Sequence, residues 1–512
     1  MSDAVDRGFT VTEMAPMDQA INASRETTAA FIGRALRGPL NEPVLVNSFG
    51  EFRRRFGDSW SRSSLGPAVQ LFFEHGGREL YIVRVANNAR GALICLPASG
   101  SALVLRALEP GSTERIRAAV DFDGIDNEQL FNLTLQRIDP ATGLVCDQEL
   151  YRKANFLPGE KNFIGDMMLT STLARVEAPL PTHRPEATSG AELPIDSAYV
   201  AAVQEGTDGA ELSDYDLVGS RRAETGLFAL QQVEQFDLLY LPLPGKGRDL
   251  GPASILAAER YCRERSAMLV VDPAIAWDTP ESAVDGIRDR GYASPNMIGY
   301  FPRMRHRYDD DTPPRPVGGA IAGLLCKLDR TAGAWRHLDQ RGLGLNRNLV
   351  PATSVDAEDQ HQLARAGLNA IVSGPAGSAR VVSDVTMGRG SESRREFASL
   401  STRRLCLQVL NAIRHATRWA VFEPLDAHLA ERIQNQVMAF LADLVEFGAF
   451  ANEHIFARCD AGLSNRSDIV GHGVTILVTF TPVGGKEPVS ATLHQTIEGC
   501  RIASTVFGPV GD

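Results

Sequence analysis

Residues 29–85 alternate short apolar runs with segments that carry helix signals, and this alternation limits the possible folds more than any other feature. Three of the runs, Phe31–Ile32, Val44–Val46 and Leu80–Val85, have the length and composition of buried strands. Apolar residues at helical spacing lie between the second run and the third. Strands and helices that alternate in this way build a sheet covered by helices, so we predict an α/β fold.

The first predicted helix has clear signals at both of its ends. Ser48 with Glu51 three residues later forms a capping box, in which the hydroxyl accepts one free helix N–H and the carboxylate reaches back to another. Gly57 follows the last turn and is expected to end the helix. The helix presents one apolar face, made of Phe49, Phe52 and Phe56.

The alternation returns in the second half of the chain. Phe236–Leu241, Ala267–Val271 and Met297–Tyr300 are predicted strands, and the continuous apolar character of the second indicates burial on both faces. Helical segments at Ala253–Arg265 and Glu281–Arg290 separate them. We therefore expect one mainly parallel sheet, covered by helices and assembled from two distant parts of the chain.

Residues 96–226 have a different character, with short apolar runs among Gly, Pro, Asp and Thr turns. Leu103–Leu105, Phe131–Leu135 and Leu217–Val218 are strand candidates, so we predict a mostly β domain inserted into the α/β core. A chain of 512 residues is long enough for several domains. We divide it into an N-terminal linker arm (1–26), the first part of the core (27–95), the insert (96–226), the second part of the core (227–482) and a C-terminal linker arm (483–512).

The longest predicted helix lies in the C-terminal third and begins at an aspartate. Asp426 is positioned to cap a helix over residues 427–447. Strands are predicted to follow it over residues 455–459 and 474–480. One stripe of the helix is apolar, and we interpret it as core rather than as a partner-binding face: Ile433, Val437, Phe440, Leu441 and Leu444.

Both ends of the chain carry strand patterns that lack an obvious partner nearby in sequence. The residues of these patterns are Phe9 and Val11, then Val489, Ala491, Leu493 and Ile497. A lone strand leaves backbone N–H and C=O groups unpaired, and addition to the sheet edge of a neighbouring subunit would satisfy them. The alternative is that both arms fold back on their own subunit. The predicted hinges of the arms are Pro16, Pro482, Gly484 and Gly485.

Charge, hydropathy and cysteine usage argue against several classes of protein. The chain carries 52 basic and 63 acidic residues, a net charge of −11, and has no long basic run, which argues against a nucleic-acid coat. It has no apolar run of transmembrane length and no secretory leader pattern. The seven cysteines are scattered without a C-x-x-C pair and are expected to be buried, reduced thiols. We expect a soluble product made in a cytosol.

No catalytic signature occurs in the sequence. The phosphate-binding loop, the G-x-S-x-G turn and the H-E-x-x-H zinc motif are all missing. Asp272 ends a predicted buried strand, a place where α/β sheets often carry functional groups. Its neighbour Pro273 and the lack of partner motifs favour a structural turn. The motifs therefore point to no metal and no cofactor, while an α/β enzyme with an unrecognised site stays the alternative.

Four motifs follow one another in the first α/β segment. They are F-x-G at 31–33, R-G-P-x-N-x-P at 37–43, S-x-x-E-F-x-x-x-F-G at 48–57 and F-F-x-x-G-G-R-x-x-Y-x-V-R-V at 72–85. Further on come Ala322, Gly323, Asp329, Gly333 and Trp335, and then W-x-V-F-E-P at 419–424. Together these motifs resemble the contractile tail sheath proteins. Ser383–Thr386 departs from the G-A-R-T usual in that family.

The resemblance implies a structural subunit of a contractile tail sheath, which is not an enzyme. Such subunits polymerise as stacked hexameric rings around an inner tube, exchange their terminal strands, and contract to drive the tube through a cell envelope. The implied partners are further copies of the chain, the inner tail tube protein, and the baseplate and tail terminator proteins, with no nucleic acid and no membrane insertion. The implied location is the tail of a virion or particle that is assembled in the bacterial host cytoplasm.

Contact with the inner tube is expected from the C-terminal α/β region. We hypothesise that exposed acidic residues of the 427–447 helix face the tube, with Glu431 and Asp443 as candidates. A sheath subunit of a type VI-like secretion system is the alternative within the same class. Such systems commonly divide the sheath between two chains, whereas both halves of the motif set occur here in one chain.

Overall fold

The computed structural model describes residue 21 and residues 26–140, 142–188, 198–245, 247–308, 312–339, 343–374, 377–390, 397–423, 426–459, 473–485, 488–496 and 499–507. These residues form two compact units. The α/β unit comprises residues 26–332 and 336–400, as far as they are described. The C-terminal unit comprises residue 21, residues 333–335 and the described part of residues 401–507.

The strands of the α/β unit are β1 (Ala29–Gly33), β2 (Pro43–Val46), β3 (Leu80–Arg84), β4 (Leu93–Ala98), β5 (Ser101–Ala107), β6 (Arg115–Asp121), β7 (Leu130–Ile138), β8 (Val145–Asn155), β9 (Ala174–Glu177), β10 (Val200–Ala201), β11 (Leu238–Tyr240), β12 (Met268–Val271), β13 (Met297–Phe301), β14 (Met304–His306), β15 (Leu349–Pro351), β16 (Leu368–Ser373) and β17 (Ala379–Val381). Its helices are α1 (Phe49–Phe56), α2 (Leu65–Glu74), α3 (Ile164–Met167), α4 (Asp214–Val218), α5 (Pro252–Arg265), α6 (Pro280–Arg290), α7 (Gly318–Thr331) and α8 (Ala357–Ala366).

The C-terminal unit contains two long helices and one antiparallel sheet. The helices are α9 (Leu400–Ala416) and α10 (Ala427–Glu446). The strands are β18 (Phe456–Cys459), β19 (Gly473–Phe480), β20 (Val489–Thr496) and β21 (Gly499–Phe507), which pair in that order. No helix in the described ranges combines the length and the apolar composition needed to cross a membrane.

A mainly parallel sheet of eight strands forms the centre of the α/β unit, in the order β17-β16-β13-β12-β11-β1-β3-β2. The two edge strands, β2 and β17, run antiparallel to their neighbours, and the six strands between them are parallel. All five residues of β1 are buried. Phe31 packs edge-on against Phe72 of α2, whereas Ile32 belongs to the core on the other face. The predicted α/β fold with a mainly parallel, helix-covered sheet is therefore confirmed.

Of the two hydrogen bonds predicted for the capping box at the start of α1, one is observed and the other has a different donor. The Ser48 hydroxyl accepts the Glu51 N–H at 3.1 Å, as predicted. The Glu51 carboxylate, however, accepts the N–H of Asn47 at 2.8 Å, one residue before the cap. Gly57 ends α1 with φ 89°, a conformation that glycine adopts readily.

The segment between β3 and β11 contains two antiparallel sheets, β4-β5-β9 and β10-β6-β7-β8. Apolar residues of these strands form a core of their own, which includes Leu105, Phe131 and Leu133. The mostly β character predicted for the insert is thus observed, and its boundaries at 96 and 226 stay predictions.

The strand predicted at Leu217–Val218 is wrong, because these residues end the short helix α4. The Asp216 carboxylate accepts both the N–H and the hydroxyl of Ser213, which closes a capping box at the start of the helix. Leu217 is buried on the side of the helix that faces the core. Two apolar residues are too few to distinguish the two periodicities, so the local cap decides the structure.

We predict that Asp426→Ala lowers the free energy of unfolding of the C-terminal unit by about 1 kcal/mol. The Asp426 carboxylate accepts the Leu429 N–H at 2.7 Å, and alanine would leave that helix donor without its side-chain acceptor. Urea titration followed by circular dichroism measures the change. Asp443→Ala, which removes an exposed carboxylate from the same helix, is the control and should leave stability nearly unchanged. Equal effects of the two substitutions would contradict the capping role.

Candidate assembly site

The carboxyl end of the central sheet is the place where an α/β protein would bind a small ligand. The strand order reverses between β11 and β1, and such switch points open a crevice in many α/β folds. Here Asp272 follows β12 and is buried under the start of α7. Its carboxylate accepts the hydroxyls of Tyr240, at 2.7 Å, and of Tyr300, together with the backbone N–H of Gly318.

Side chains and backbone pack closely around the Asp272 carboxylate. Tyr240 and Tyr300 are buried, and the ring of Tyr240 lies 5.0 Å from that of Phe31. A Cβ at Gly318 would lie 2.3 Å from the Tyr240 ring, so only glycine allows helix α7 to begin there. The cluster therefore joins three strands to α7, which agrees with the structural role predicted for Asp272.

The electrostatics of the cluster follow from its burial. Loss of solvent raises the pKa of Asp272 to about 6, and the two tyrosine hydroxyls and Arg303 oppose that rise. Arg303 is held nearby, because its guanidinium donates to the carbonyl of Pro273 and to the carboxylate of Asp249. Among the described residues, no three His, Cys, Asp or Glu side chains come together as a metal site.

The C-terminal sheet contains the residues that were predicted to leave the subunit. Val489, Ala491 and Leu493 lie in β20, and their side chains are buried. Strand β20 pairs with β19 on one side and with β21 on the other, so its backbone groups have partners in the same chain. The single chain thus shows the alternative in which the tail folds back on its own sheet. Phe9, Val11, Pro16 and Ile497 lie outside the described residues.

Strand β21 is the element at the edge of this sheet. It pairs with β20 over eight residues, and in the described part of the chain nothing pairs with its other side. The sequence prediction treated 483–512 as one arm and did not single out this strand. The β-branched residues Ile502, Thr505 and Val506 are the signal that could have identified it.

The predicted C-terminal hinge forms a tight turn between β19 and β20. The N–H of Gly485 donates to the carbonyl of Pro482 at 2.9 Å, and Gly484 adopts φ 77°. The N–H of Val483 donates to the carbonyl of Ala449 at 3.0 Å. In the single chain these residues are therefore held by backbone hydrogen bonds.

Helix α10 buries one stripe and exposes the other. All five predicted core residues are buried, and both tube-facing candidates, Glu431 and Asp443, are exposed. At 3.6 residues per turn the two candidates lie about 120° apart around the helix axis. Glu446, which is also exposed, lies only about 60° from Glu431. A flat partner surface would therefore meet Glu431 and Glu446 more easily than Glu431 and Asp443.

We predict that Asp272 makes the stability of the α/β unit fall as the pH rises from about 4 to about 6. The folded-state pKa of Asp272 is above its ordinary value, so the folded state favours the protonated acid, and this stabilisation is lost as the carboxyl ionises. A shift from 3.8 to about 6 corresponds to about 3 kcal/mol. Urea unfolding at pH 4 and pH 6.5 should show this contribution disappearing in Asp272→Asn and persisting in Asp443→Asn. An identical pH dependence in wild type and Asp272→Asn would contradict the prediction.

Comparison with known proteins gives a consistent result at the level of the fold. No protein-family model matches the chain, and no curated protein sequence matches it. The solved structure of the sheath tail protein Lin1278 from Listeria innocua is similar, with a TM-score of 0.62 and 15% identity over 93% of this chain and 96% of that one.

Two further structures extend this likeness. The sheath tail protein DSY3957 from Desulfitobacterium hafniense matches with a TM-score of 0.54 and 13% identity, over 96% of this chain and 100% of that one. The sheath of the extracellular contractile injection system PVC, solved in its contracted state, matches with a TM-score of 0.52 and 13% identity, over 94% and 95%. The likeness spans both units, from the central sheet to the C-terminal sheet. The chain therefore has the fold of the contractile tail sheath proteins.

Proposed function

We propose that this protein is the structural subunit of a contractile tail sheath, which polymerises as stacked hexameric rings around an inner tube. The observation that carries the proposal is the likeness of nearly the whole chain to sheath proteins, one of them solved as a contracted sheath. Contraction would drive the tube through the envelope of a target cell. The subunit would act in the tail of a virion or injection particle assembled in the bacterial host cytoplasm.

A sheath that contracts has to keep its subunits linked while they move, and β21 is the element suited to this task. A strand from a neighbouring copy that replaced β21 would satisfy the same backbone groups of β20, so exchange costs little free energy. Each backbone hydrogen bond contributes about 1 kcal/mol net, and eight paired residues provide several of them. We therefore assign the exchanged C-terminal strand to β21, with β20 as its acceptor.

A structural role also fits the interior of the α/β unit. At the carboxyl end of the sheet, where an enzyme would hold its substrate, the buried Asp272 carboxylate accepts the hydroxyls of the buried Tyr240 and Tyr300. We propose that the protein is not an enzyme and that its partners are further copies of itself, the inner tube protein, the baseplate and the tail terminator. The match covers 96% of the sheath tail protein Lin1278, and both halves of the motif set occur in this one chain, which favours a phage tail or injection particle over a two-chain type VI-like sheath.

We predict that removal of residues 497–512, which include β21, abolishes the formation of long cylinders while the subunit stays folded. A cut after Gly485 would also remove β20, whose buried residues belong to the core of the sheet, so the shorter deletion is the cleaner test. Negative-stain electron microscopy of purified protein measures assembly, and circular dichroism measures folding. Removal of residues 508–512 alone, which keeps β21, is the control. Cylinders of normal length from the 497–512 deletion would contradict the exchange.

We predict that Glu431→Lys and Asp443→Lys each weaken binding of the sheath subunit to the inner tube by about fivefold, because single exposed charges contribute up to about 1 kcal/mol. The expectation rests on the hypothesis that exposed acidic residues of α10 face the tube. Co-sedimentation with preformed tubes at low ionic strength measures binding. Glu205→Lys, a reversal in an exposed loop of the α/β unit, is the matched control. Unchanged binding in both α10 variants would rule the hypothesis out.

A further inference from the structure

Arg84 ends β3 with a guanidinium that is completely buried. Burial lowers its pKa to about 10, and the charges of Glu109, Glu114 and Asp208 oppose that fall. The guanidinium donates to four carbonyls: Ala35 at 3.0 Å, Leu36 at 3.3 Å, Gly38 at 2.5 Å and Pro110 at 2.6 Å. Three of these carbonyls lie in the turn after β1, and the fourth lies between β5 and β6 of the insert. One buried cation thus joins the central sheet to the inserted sheets.

A group of acidic residues reaches the same turn from the insert. The Glu109 carboxylate accepts the N–H of Gly38 at 2.9 Å. Arg137 of β7 pairs with Glu114 at 2.5 Å and with Glu109 at 3.7 Å. The turn after β1 is therefore held by the loop between β5 and β6, and that loop is held by β7.

The returning end of the insert makes the third connection. The Asp208 carboxylate accepts the N–H and the hydroxyl of Ser112, both at 2.8 Å. The Arg34 guanidinium, directly after β1, donates to the backbone carbonyls of Asp208 at 2.8 Å and of Gly209 at 2.9 Å. Both chain connections of the insert are thus tied to the end of the same strand.

The backbones at this joint touch without a layer of side chains between them. A Cβ at Gly111 would lie 2.7 Å from the carbonyl oxygen of Leu36, and one at Gly206 would lie 2.3 Å from that of Gly111. Contacts between backbone atoms have little freedom to slide, because no flexible side chain separates them. The geometry is that of a rigid connection rather than of a hinge.

We propose that this joint, made of residues 34–38, 84, 108–114, 137 and 208–209 and centred on Arg84, fixes the insert to the central sheet so that the two move as one body. Arg84 is a positioning residue in this proposal. The rigidity is a property of the single chain, and only its mechanical consequence, that the insert follows the core during contraction, rests on the proposed function. A role for Arg84 in stability alone would leave the orientation of the insert unchanged below the unfolding transition.

The test is a distance measurement between two spin labels in the full chain. Cys146 of β8, which was predicted to be buried, is exposed and supplies the label on the insert. Arg288→Cys on α6 supplies the other, since that side chain is 74% exposed. Cys95 and Cys500, which are partly exposed, are replaced by serine. Labelled chains are diluted into an excess of unlabelled chains. Distances within one chain then dominate the signal in pulsed electron–electron double resonance.

The labelled parent is expected to give one narrow distance distribution, and Arg84→Met is expected to broaden it roughly twofold. Arg265→Met is the matched control, because that guanidinium also donates to three carbonyls, Leu230, Val233 and Glu234, but lies away from the joint. The control should leave the width unchanged.

A broad or two-peaked distribution in the parent, or an unchanged width in Arg84→Met, would overturn the proposal. Should Arg84→Met fail to fold, Asp208→Ala removes the link to Ser112 and keeps Arg84, and the same broadening is required of it. These measurements are independent of cylinder formation. Failure of the joint is therefore distinguishable from failure of the sheath proposal, which electron microscopy of the wild-type chain tests.

Discussion

The α/β unit depends on the complete burial of β1 between two parallel neighbours. Because all five of its residues are buried, its backbone groups need partners on both sides, β3 and β11, and its two faces need separate layers of helices. The side chains of Phe31 and Ile32 pack on opposite faces of the sheet. The strand ends inside the protein, so the carbonyls of residues 35–38 also need internal donors, and the guanidinium of Arg84 donates to three of them.

The buried charges Asp272 and Arg84 connect structural elements of this unit. Asp272 joins β11, β12 and β13 to the start of α7, and Arg84 joins the central sheet to the insert. A buried charge without such hydrogen bonds would strongly destabilise the fold, which explains why each has several polar partners. Recognition of other molecules is then left to exposed elements. The edge strand β21 and the outer side of α10 are the ones on which the proposed sheath function depends.

Local features of the fold were predictable because their causes lie within a few residues. The start of α1 at Ser48 and of α10 at Asp426 depends on a side chain and an N–H three residues later, and both are observed. The apolar stripe of α10 was predicted from spacing alone. The strand prediction at Leu217–Val218 was wrong because two apolar residues fit a strand and a helix equally well. For the proposed assembly site, the sequence pattern pointed to the C-terminal tail but did not single out β21, the strand at the edge of the sheet.

The sequence by itself determined the α/β class, the alternation of strands and helices in the core, and the ends of the main helices. These features follow from hydrophobic periodicity and from capping side chains, which act over one or two turns of chain. Only the tertiary structure decided that Asp272 bonds to Tyr240, that Arg84 reaches Pro110 and that β20 lies between β19 and β21. Each of these results depends on residues that are distant in the chain and close in space. A local sequence pattern does not predict such contacts.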